Sequence, residues 1–298
     1  MEFFALPNID FIGRRKWAYL LSGTLILIGF ISVILKGGYR YGIDFTGGKL
    51  VQIHVDQVVD IAKIRAGIAD LGLSGAEIQT FGDPQEFLIK YKEDVEPEQI
   101  QQTLQKALGV NVRIDRSEQV GPRIGKELKE KAVMAVLVGL LLMLIYITIR
   151  FNFEFAVGTV IALFHDVFIT LGFFSLFNKE ITTAIVAAIL TIVGYSINDS
   201  IVVSDRIREN LKRVTPKTPI ERIIEIFNQS INETLSRTVI TSLTTLLVLT
   251  SLLIFGGPVI FDFAFALTVG VIVGTYSSIF VVASLVVEWE RFKRRRKS

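Results

Sequence analysis

Long apolar stretches dominate this sequence and recur six times. Each has about 17–25 residues, the length that a helix needs to cross the hydrocarbon core of a bilayer. Because lipid offers no partners for backbone polar groups, such stretches are stable there only as helices or closed barrels, and their length fits helices. The sequence therefore predicts six transmembrane helices, at 17–35, 132–149, 155–177, 182–204, 238–255 and 263–287.

Composition agrees with a membrane protein and narrows its chemistry. Hydrophobic residues make up 51% of the 298 residues, and the mean hydropathy is +0.51. There is no cysteine, which excludes disulfides, thiolate metal sites and cysteine nucleophiles. With only two histidines, His54 and His165, a metal site built from several histidines is not expected. We expect no cofactor and no enzymatic activity.

The distribution of basic residues predicts the orientation. The net charge is +3, but the lysines and arginines lie beside the apolar stretches, which argues against nucleic acid as the partner. Basic residues precede the first span, follow the last, and occupy the loops after the second and fourth, whereas the loops at 178–181 and 256–262 carry almost none. Since basic loops face the cytoplasm, both termini are predicted inside and residues 37–130 outside.

This topology divides the chain into six segments. We expect a cytoplasmic N terminus with the first span at 1–36, an external domain at 37–130 and three spans at 131–204. A cytoplasmic loop at 205–237, two spans at 238–287 and a basic cytoplasmic tail at 288–298 follow.

The external segment has alternating strand-like and helix-like patterns. We predict strands at 49–55, 76–81, 86–91 and 111–120, helices at 58–71 and 95–108, and a turn at 82–85. Asp56 is a candidate cap for the first helix, and Pro97 suits the first turn of the second. The order βαββαβ is that of a ferredoxin-like α+β domain. The carboxylates of this domain are scattered along the sequence, which is typical of a solvated surface and not of an active site.

Asp199 and its neighbour Asn198 interrupt the fourth apolar stretch. An aspartate at the centre of a membrane helix costs roughly 2.5 kcal/mol or more, so such residues usually face a polar pathway or a partner. The alternative is that the two side chains join helices through hydrogen bonds. Arg237 begins the antiparallel fifth span, and its long side chain could reach toward Asp199.

Four motifs stand at fixed places along the chain. YGIDFTGG (41–48) follows the first span, and its Gly42, Gly47 and Gly48 allow positive φ or close backbone approach, while Asp44 could bond the turn. GYSINDSIVVSDRIREN (194–210) carries the fourth span into a charged helix. LSRT (235–238) opens the fifth span, and VGTYSS (273–278) lies in the sixth. Gly270 and Gly274 are four residues apart in that span, a spacing of small residues that lets helices approach closely.

These motifs, in this order, resemble the SecF branch of the SecD/SecF family of bacterial protein-export membrane proteins, within the resistance-nodulation-division (RND) superfamily. The resemblance covers nearly the whole chain and includes the six-span layout with one large first outer loop. It implies a subunit of the bacterial inner (cytoplasmic) membrane that uses the proton motive force to promote translocation through SecYEG after SecA-driven insertion. It implies SecD, SecYEG with SecA and the translocating preprotein as partners, with YajC and YidC as further contacts, and it places Asp199 and Arg237 on the proton pathway.

Other polar residues in the spans are weaker candidates. His165 and Asp166 lie near the middle of the third span and point about 100° apart, so one can face a cavity while the other meets a neighbouring helix. Helix packing and proton transfer are both open for this pair. For Asp205 and Arg206, a structural ion pair or a solvated helix end is favoured. Asp262 is a candidate proton entry. Five threonines are candidates for a water path, although such threonines usually bond their own backbone: Thr182, Thr183, Thr241, Thr244 and Thr245.

Two rival functions remain open at this stage. One is half of an RND-type exporter of small molecules or lipids, although such pumps usually carry both halves in one chain. The other is a structural scaffold for the channel, which would tolerate neutralisation of Asp199.

Overall fold

The computed structural model describes residues 8–212, 214, 215 and 218–296. The basic residues Arg213, Lys217 and Lys297 lie outside this range. The first ten elements of the fold are α1 (Arg15–Leu35), β1 (Arg40–Tyr41), α2 (Ile43–Thr46), β2 (Gly48–Val55), α3 (Ile61–Ile68), a 3₁₀ turn (Ala69–Leu71), β3 (Glu77–Phe81), β4 (Asp83–Tyr91), α4 (Pro97–Leu108) and β5 (Val112–Val120). The remaining elements are α5 (Pro122–Arg150), α6 (Phe153–Leu176), β6 (Glu180–Ile181), α7 (Thr183–Leu211), α8 (Ile220–Phe255), α9 (Gly257–Ser277), a π turn (Ser278–Val282) and α10 (Ala283–Arg295).

Six helical segments in the described part of the chain are long and apolar enough to cross a membrane, which confirms the predicted number. They are α1, α5, α6, α7, α8 and the continuous run from α9 through the π turn to α10. The protein is therefore a multi-pass membrane protein. The last of these segments is the most buried, while α5 and α8 expose most of their apolar surface.

The predicted cytoplasmic loop at 205–237 is mostly helical. The fourth span continues as α7 to Leu211, and α8 begins at Ile220. Buried Ile223, Phe227 and Ile231 recur every four residues, which gives the start of α8 one apolar face. On the same stretch, the side chains of Asn228 and Asn232 accept hydrogen bonds from the backbone of the N-terminal segment, at 3.0 Å from Ile12 N and 3.1 Å from Ile9 N. These contacts hold the start of α8 against the N-terminal segment.

The segment between α1 and α5 contains a four-stranded antiparallel sheet with strand order β3-β4-β2-β5. Helices α3 and α4 connect its strands, and the core between helices and sheet includes Ile53, Ile89 and Leu104, which are fully buried. The hairpin between β3 and β4 is tighter than predicted, because Phe81 pairs with Asp83 around Gly82, whose φ is 77°.

The helices of this domain begin at capping residues. The predicted cap at Asp56 is wrong, because Asp60 accepts the hydrogen bond from Ala62 N, at 2.7 Å. Helix α4 begins at Pro97, and Glu96 and Gln99 form a reciprocal capping box around its first turn.

Helix α9 packs closely against α7 through two glycines. A Cβ atom on Gly270 would lie 2.3 Å from the side chain of Ile192, and one on Gly274 would lie 3.0 Å from that of Ser196. The absence of side chains at these two positions lets the helices meet, as the four-residue spacing predicted. The same contact brings Ser196 and Ser277 to the buried carboxylate of α6 described below.

Candidate functional site

A buried hydrogen-bond network joins four membrane helices around His165 and Asp166. Nδ1 of His165 lies 2.9 Å from Oδ1 of Asp166. The other carboxylate oxygen, Oδ2, accepts hydrogen bonds from Ser196 of α7 at 2.6 Å and Ser277 of α9 at 2.8 Å. The predicted divergence of the two side chains is only partly right, because they bond each other while facing different neighbouring helices.

The histidine continues this network toward α1. Its Nε2 lies 2.9 Å from the hydroxyl of Ser22, which lies 3.0 Å from the hydroxyl of Tyr276. The tyrosine donates to the backbone oxygen of Ala18 at 2.7 Å, and its ring stacks on the imidazole. A chain of hydroxyl, imidazole and carboxylate groups therefore runs from α1 to the α7–α9 contact, with each hydrogen-bonded to the next.

Asp199 occupies a second buried position, on the face of α7 that meets α8. Only 2% of the residue is exposed, and its Oδ2 has no hydrogen-bond partner among the described residues. Ser242 of α8 is the polar side chain beside it. The hydroxyl of Ser242 lies 2.6 Å from that of Thr275 on α9 and accepts a hydrogen bond from Tyr195 at 3.3 Å.

Arg237 does not form the predicted contact with Asp199. It is close enough to attract the carboxylate, but within the described residues no nitrogen of Arg237 comes within 4.0 Å of a carboxylate oxygen. The reason is orientation: Arg237 is exposed on α8, whereas Asp199 points into the bundle. Asn198 is also exposed, since consecutive residues on α7 face different directions, so it does not join Asp199 in one buried site.

The remaining charged candidates lie in ion pairs at the ends of the helices. Arg206 bonds Glu233 at 2.5 Å and Glu209 at 2.7 Å, and Asp205 bonds Arg208 at 2.8 Å. These contacts agree with the structural ion pairs that the sequence analysis favoured for both residues. Asp262 pairs with Lys179 at 2.8 Å. Three threonines on α8 donate their hydroxyl hydrogen bonds to backbone oxygens of the same helix: Thr241, Thr244 and Thr245.

The glycine-rich motif lies at the junction of the four-stranded sheet and the membrane helices. Oδ2 of Asp44 accepts hydrogen bonds from both the backbone nitrogen and the hydroxyl of Thr183, at 2.8 and 2.7 Å. Thr182 precedes α7 and packs against Gly42. The φ angles of Gly47 and Gly48 are 69° and 134°, which glycine adopts without strain. The predicted turn role of Asp44 is therefore wrong, because its partner is 139 residues away.

One mixed histidine–carboxylate group lies on the outer face of the sheet. His54, Glu86 and Asp115 have potential ligand atoms within 4.8 Å of one another. The two carboxylates already accept hydrogen bonds, Glu86 from Gln52 at 3.0 Å and Asp115 from Arg113 at 2.7 Å. Cross-strand pairing of His54 with Glu86 explains their proximity.

The sequence reasoning missed the hydroxyl residues that complete the buried network. Ser196, Tyr276 and Ser277 lie within motifs that the sequence analysis singled out, but it assigned them no role. Ser22 interrupts the apolar stretch of α1. A search for hydroxyl side chains within the spans would have found all four, although it could not have shown which of them meet.

Comparisons with known proteins show to which family this chain belongs. Residues 99–292 match the family model described as protein export membrane protein SecD/SecF, C-terminal. A protein translocase subunit SecF from Calditerrivibrio nitroreducens is 46% identical, over 97% of this chain and 96% of that protein. The chain belongs to the SecD/SecF family.

Within this family, the fold matches a longer protein as well. The crystal structure of SecDF, a translocon-associated membrane protein from Thermus thermophilus, matches with a TM-score of 0.86 and 43% identity, covering 97% of this chain and 40% of that one. The protein translocase subunit SecDF of the same organism is 44% identical over 98% of this chain. The chain therefore corresponds to one part of SecDF and to nearly the full length of the SecF relative.

Proposed function

We propose that this chain is a SecF-type subunit that uses the proton motive force to promote protein translocation across the bacterial cytoplasmic membrane. Its family membership supports the translocation role, because the relatives are named protein translocase subunits. Near full-length coverage of the SecF relatives argues against an exporter half, since the size of this chain is the usual size of a SecF. The chain carries out no covalent chemistry.

The buried carboxylate of Asp199 is the observation that supports the use of protons. A buried carboxylate oxygen without a hydrogen-bond partner in the middle of a membrane helix is costly unless the group changes its charge or its partner. Apolar surroundings favour the neutral form of a carboxylic acid, and a nearby arginine favours the charged form. Arg237 lies beside this position without being paired to it, so a modest movement of α8 against α7 would change which form is stable.

The network around His165 and Asp166 is a second candidate segment of the pathway. Its groups donate and accept hydrogen bonds in an unbroken chain, which proton transfer requires. Its fully bonded carboxylate also suits helix packing. We therefore assign the coupling step to Asp199, whose Oδ2 has no hydrogen-bond partner among the described residues and can take up a proton.

A SecD subunit is the proposed membrane partner. The Thermus thermophilus SecDF carries the counterpart of this chain in 40% of its length, and the remaining length supports a second half in the same assembly. Helices α5 and α8 expose long apolar faces on which a partner can pack. We further assign SecYEG with SecA, and the preprotein in transit, as functional partners, with YajC and YidC as additional contacts.

We infer cytoplasmic termini and an external ferredoxin-like domain. The basic residues beside the spans support the orientation. The element order from β2 to β5, with the antiparallel strand order β3-β4-β2-β5, supports the ferredoxin-like assignment.

The decisive experiment uses Asp199→Asn, which keeps the shape of the side chain and removes the charge. We expect normal assembly with SecD and loss of the gradient-dependent stimulation of translocation, measured in vesicles containing the intact complex with and without a proton gradient. Arg237→Ala should give the same loss. Asp70→Asn and Glu98→Gln, on exposed sites of the external domain, are the controls and should be silent. A full gradient response in Asp199→Asn would show that Asp199 only joins helices.

A further inference from the structure

The motif at 41–48 contacts three parts of the molecule within eight residues: the β1–β6 pair, the four-stranded sheet and the start of α7. Its first residue belongs to β1, which pairs in parallel with β6, just before α7. Its last residue begins β2, a central strand of the external sheet. Gly42 N donates a hydrogen bond to Ile181 O at 2.9 Å, so the backbone contact continues up to the start of α7.

Asp44 caps α7 from outside that helix. The residue that precedes the helix, Thr182, makes no side-chain cap bond. Oδ2 of Asp44 instead accepts from the first backbone N–H of the helix and from the hydroxyl of the same residue, Thr183. Unpaired N–H groups and the positive end of the helix dipole make a helix N terminus a favourable place for a carboxylate.

Two glycines hold the motif against its neighbours. A Cβ atom on Gly42 would lie 2.8 Å from the side chain of Thr182, and one on Gly47 would lie 2.9 Å from the backbone of Pro122, the first residue of α5. The motif is therefore packed between the first residues of α7 and α5.

The loop before α7 is bound to the external sheet at a second place. Glu180 forms an ion pair with Lys90 of β4, and a longer one of 3.6 Å with Arg40. Arg40 also pairs with Glu77 of β3. Strand β4 is thus linked directly to Glu180, three residues before α7, and strand β3 is linked to it through Arg40.

We propose that Asp44 is a positioning residue that ties the external domain to α7, so that displacement of that domain is transmitted to Asp199. This inference rests on the proposed function. Helix α7 runs without a break from Thr183 to Leu211. Asp199 lies 16 residues along it, roughly 24 Å from the cap at 1.5 Å per residue. A continuous helix transmits a shift or rotation of its outer end to the buried carboxylate, whereas an uncapped, frayed first turn absorbs it.

The test compares Asp44→Ala, Asp44→Asn and Thr183→Val in the full chain assembled with SecD. Ala removes both hydrogen bonds, Asn keeps one side-chain oxygen as acceptor, and Val removes the hydroxyl but keeps the backbone N–H. Asp70→Ala is the matched control. The first measurement is amide hydrogen exchange in the first turn of α7. We expect about fivefold faster exchange for Asp44→Ala, the factor that corresponds to ~1 kcal/mol for a lost cap, and a smaller effect for Asn and Val.

The second measurement is gradient-dependent translocation, with Asp199→Asn as the reference. We expect Asp44→Ala to assemble normally and lose the gradient response to the level of the reference, and Asp44→Asn to retain part of it. Unchanged exchange in Asp44→Ala, or faster exchange with a full gradient response, would overturn the inference. If the reference itself keeps its response, the proposed function fails, while the exchange data still decide whether Asp44 holds α7.

Discussion

Replacing Asp166 by alanine should destabilise the membrane helices, because this one side chain is hydrogen-bonded to three others. The substitution removes the bonds to His165, Ser196 and Ser277, all between 2.6 and 2.9 Å. Two of these bonds cross to other helices, and hydrogen bonds between membrane helices average about 0.6 kcal/mol in direct measurements, so the two give ~1 kcal/mol. A buried donor left without a new partner adds about 1–3 kcal/mol. With one such donor, we expect a loss of about 2–4 kcal/mol.

The assay is unfolding of the purified full chain by titration from a mild detergent into SDS, followed by circular dichroism. Asp166→Asn keeps a carbonyl oxygen and should cost less than Asp166→Ala. Asp70→Ala, at an exposed site, should have no measurable effect.

A double-mutant cycle tests the cause of the effect. Ser277→Ala removes the bond to Asp166, together with a 3.1 Å bond to Gly274 O of its own helix. It should cost about 0.6 kcal/mol more in the normal chain than when Asp166 is already alanine. If the two substitutions add independently, or if Asp166→Ala unfolds at the same SDS fraction as Asp70→Ala, the network does not hold the helices together and the reasoning is wrong.

Three further predictions address packing, capping and pH. Gly270→Val should prevent α7 and α9 from meeting and lower the yield of folded protein in size-exclusion chromatography, whereas Gly23→Ala, where a Cβ meets nothing within 4 Å, should be neutral. Asp60→Ala should lower the stability of the external domain by about 1 kcal/mol in hydrogen exchange, and Asp56→Ala should not. Burial raises the pKa of Tyr91 to about 12. Its neutral phenol should therefore stabilise the fold fully below about pH 10 and lose this effect as the pH rises toward 12. Tyr91→Phe should remove that step from an alkaline denaturation curve.

The sequence alone determined the number of membrane helices and the order of elements in the external domain. Both depend on local patterns: the length of an apolar stretch against the thickness of a bilayer, and alternation or helical spacing of apolar residues. The same kind of pattern is present at Ile223, Phe227 and Ile231, in the segment that the sequence analysis placed between two spans without assigning its secondary structure. Their spacing of four residues is typical of a helix and agrees with the start of α8.

The tertiary structure decided how the polar residues are paired. His165 and Asp166 were candidates from their unusual place in an apolar stretch, but their partners Ser22, Ser196 and Ser277 come from helices whose relative rotation no local pattern specifies. For the same reason the sequence suggested an Asp199–Arg237 contact that the structure does not contain.

Asp44 shows the difference most clearly. Its motif indicated a turn stabilised by neighbouring groups, yet its carboxylate bonds Thr183, 139 residues away. The sequence shows that a carboxylate is present next to flexible glycines. Only the packing of β1 beside β6 and of the motif against α5 brings that carboxylate to the exposed N–H groups of a helix start, because such a contact depends on the path of the whole intervening chain.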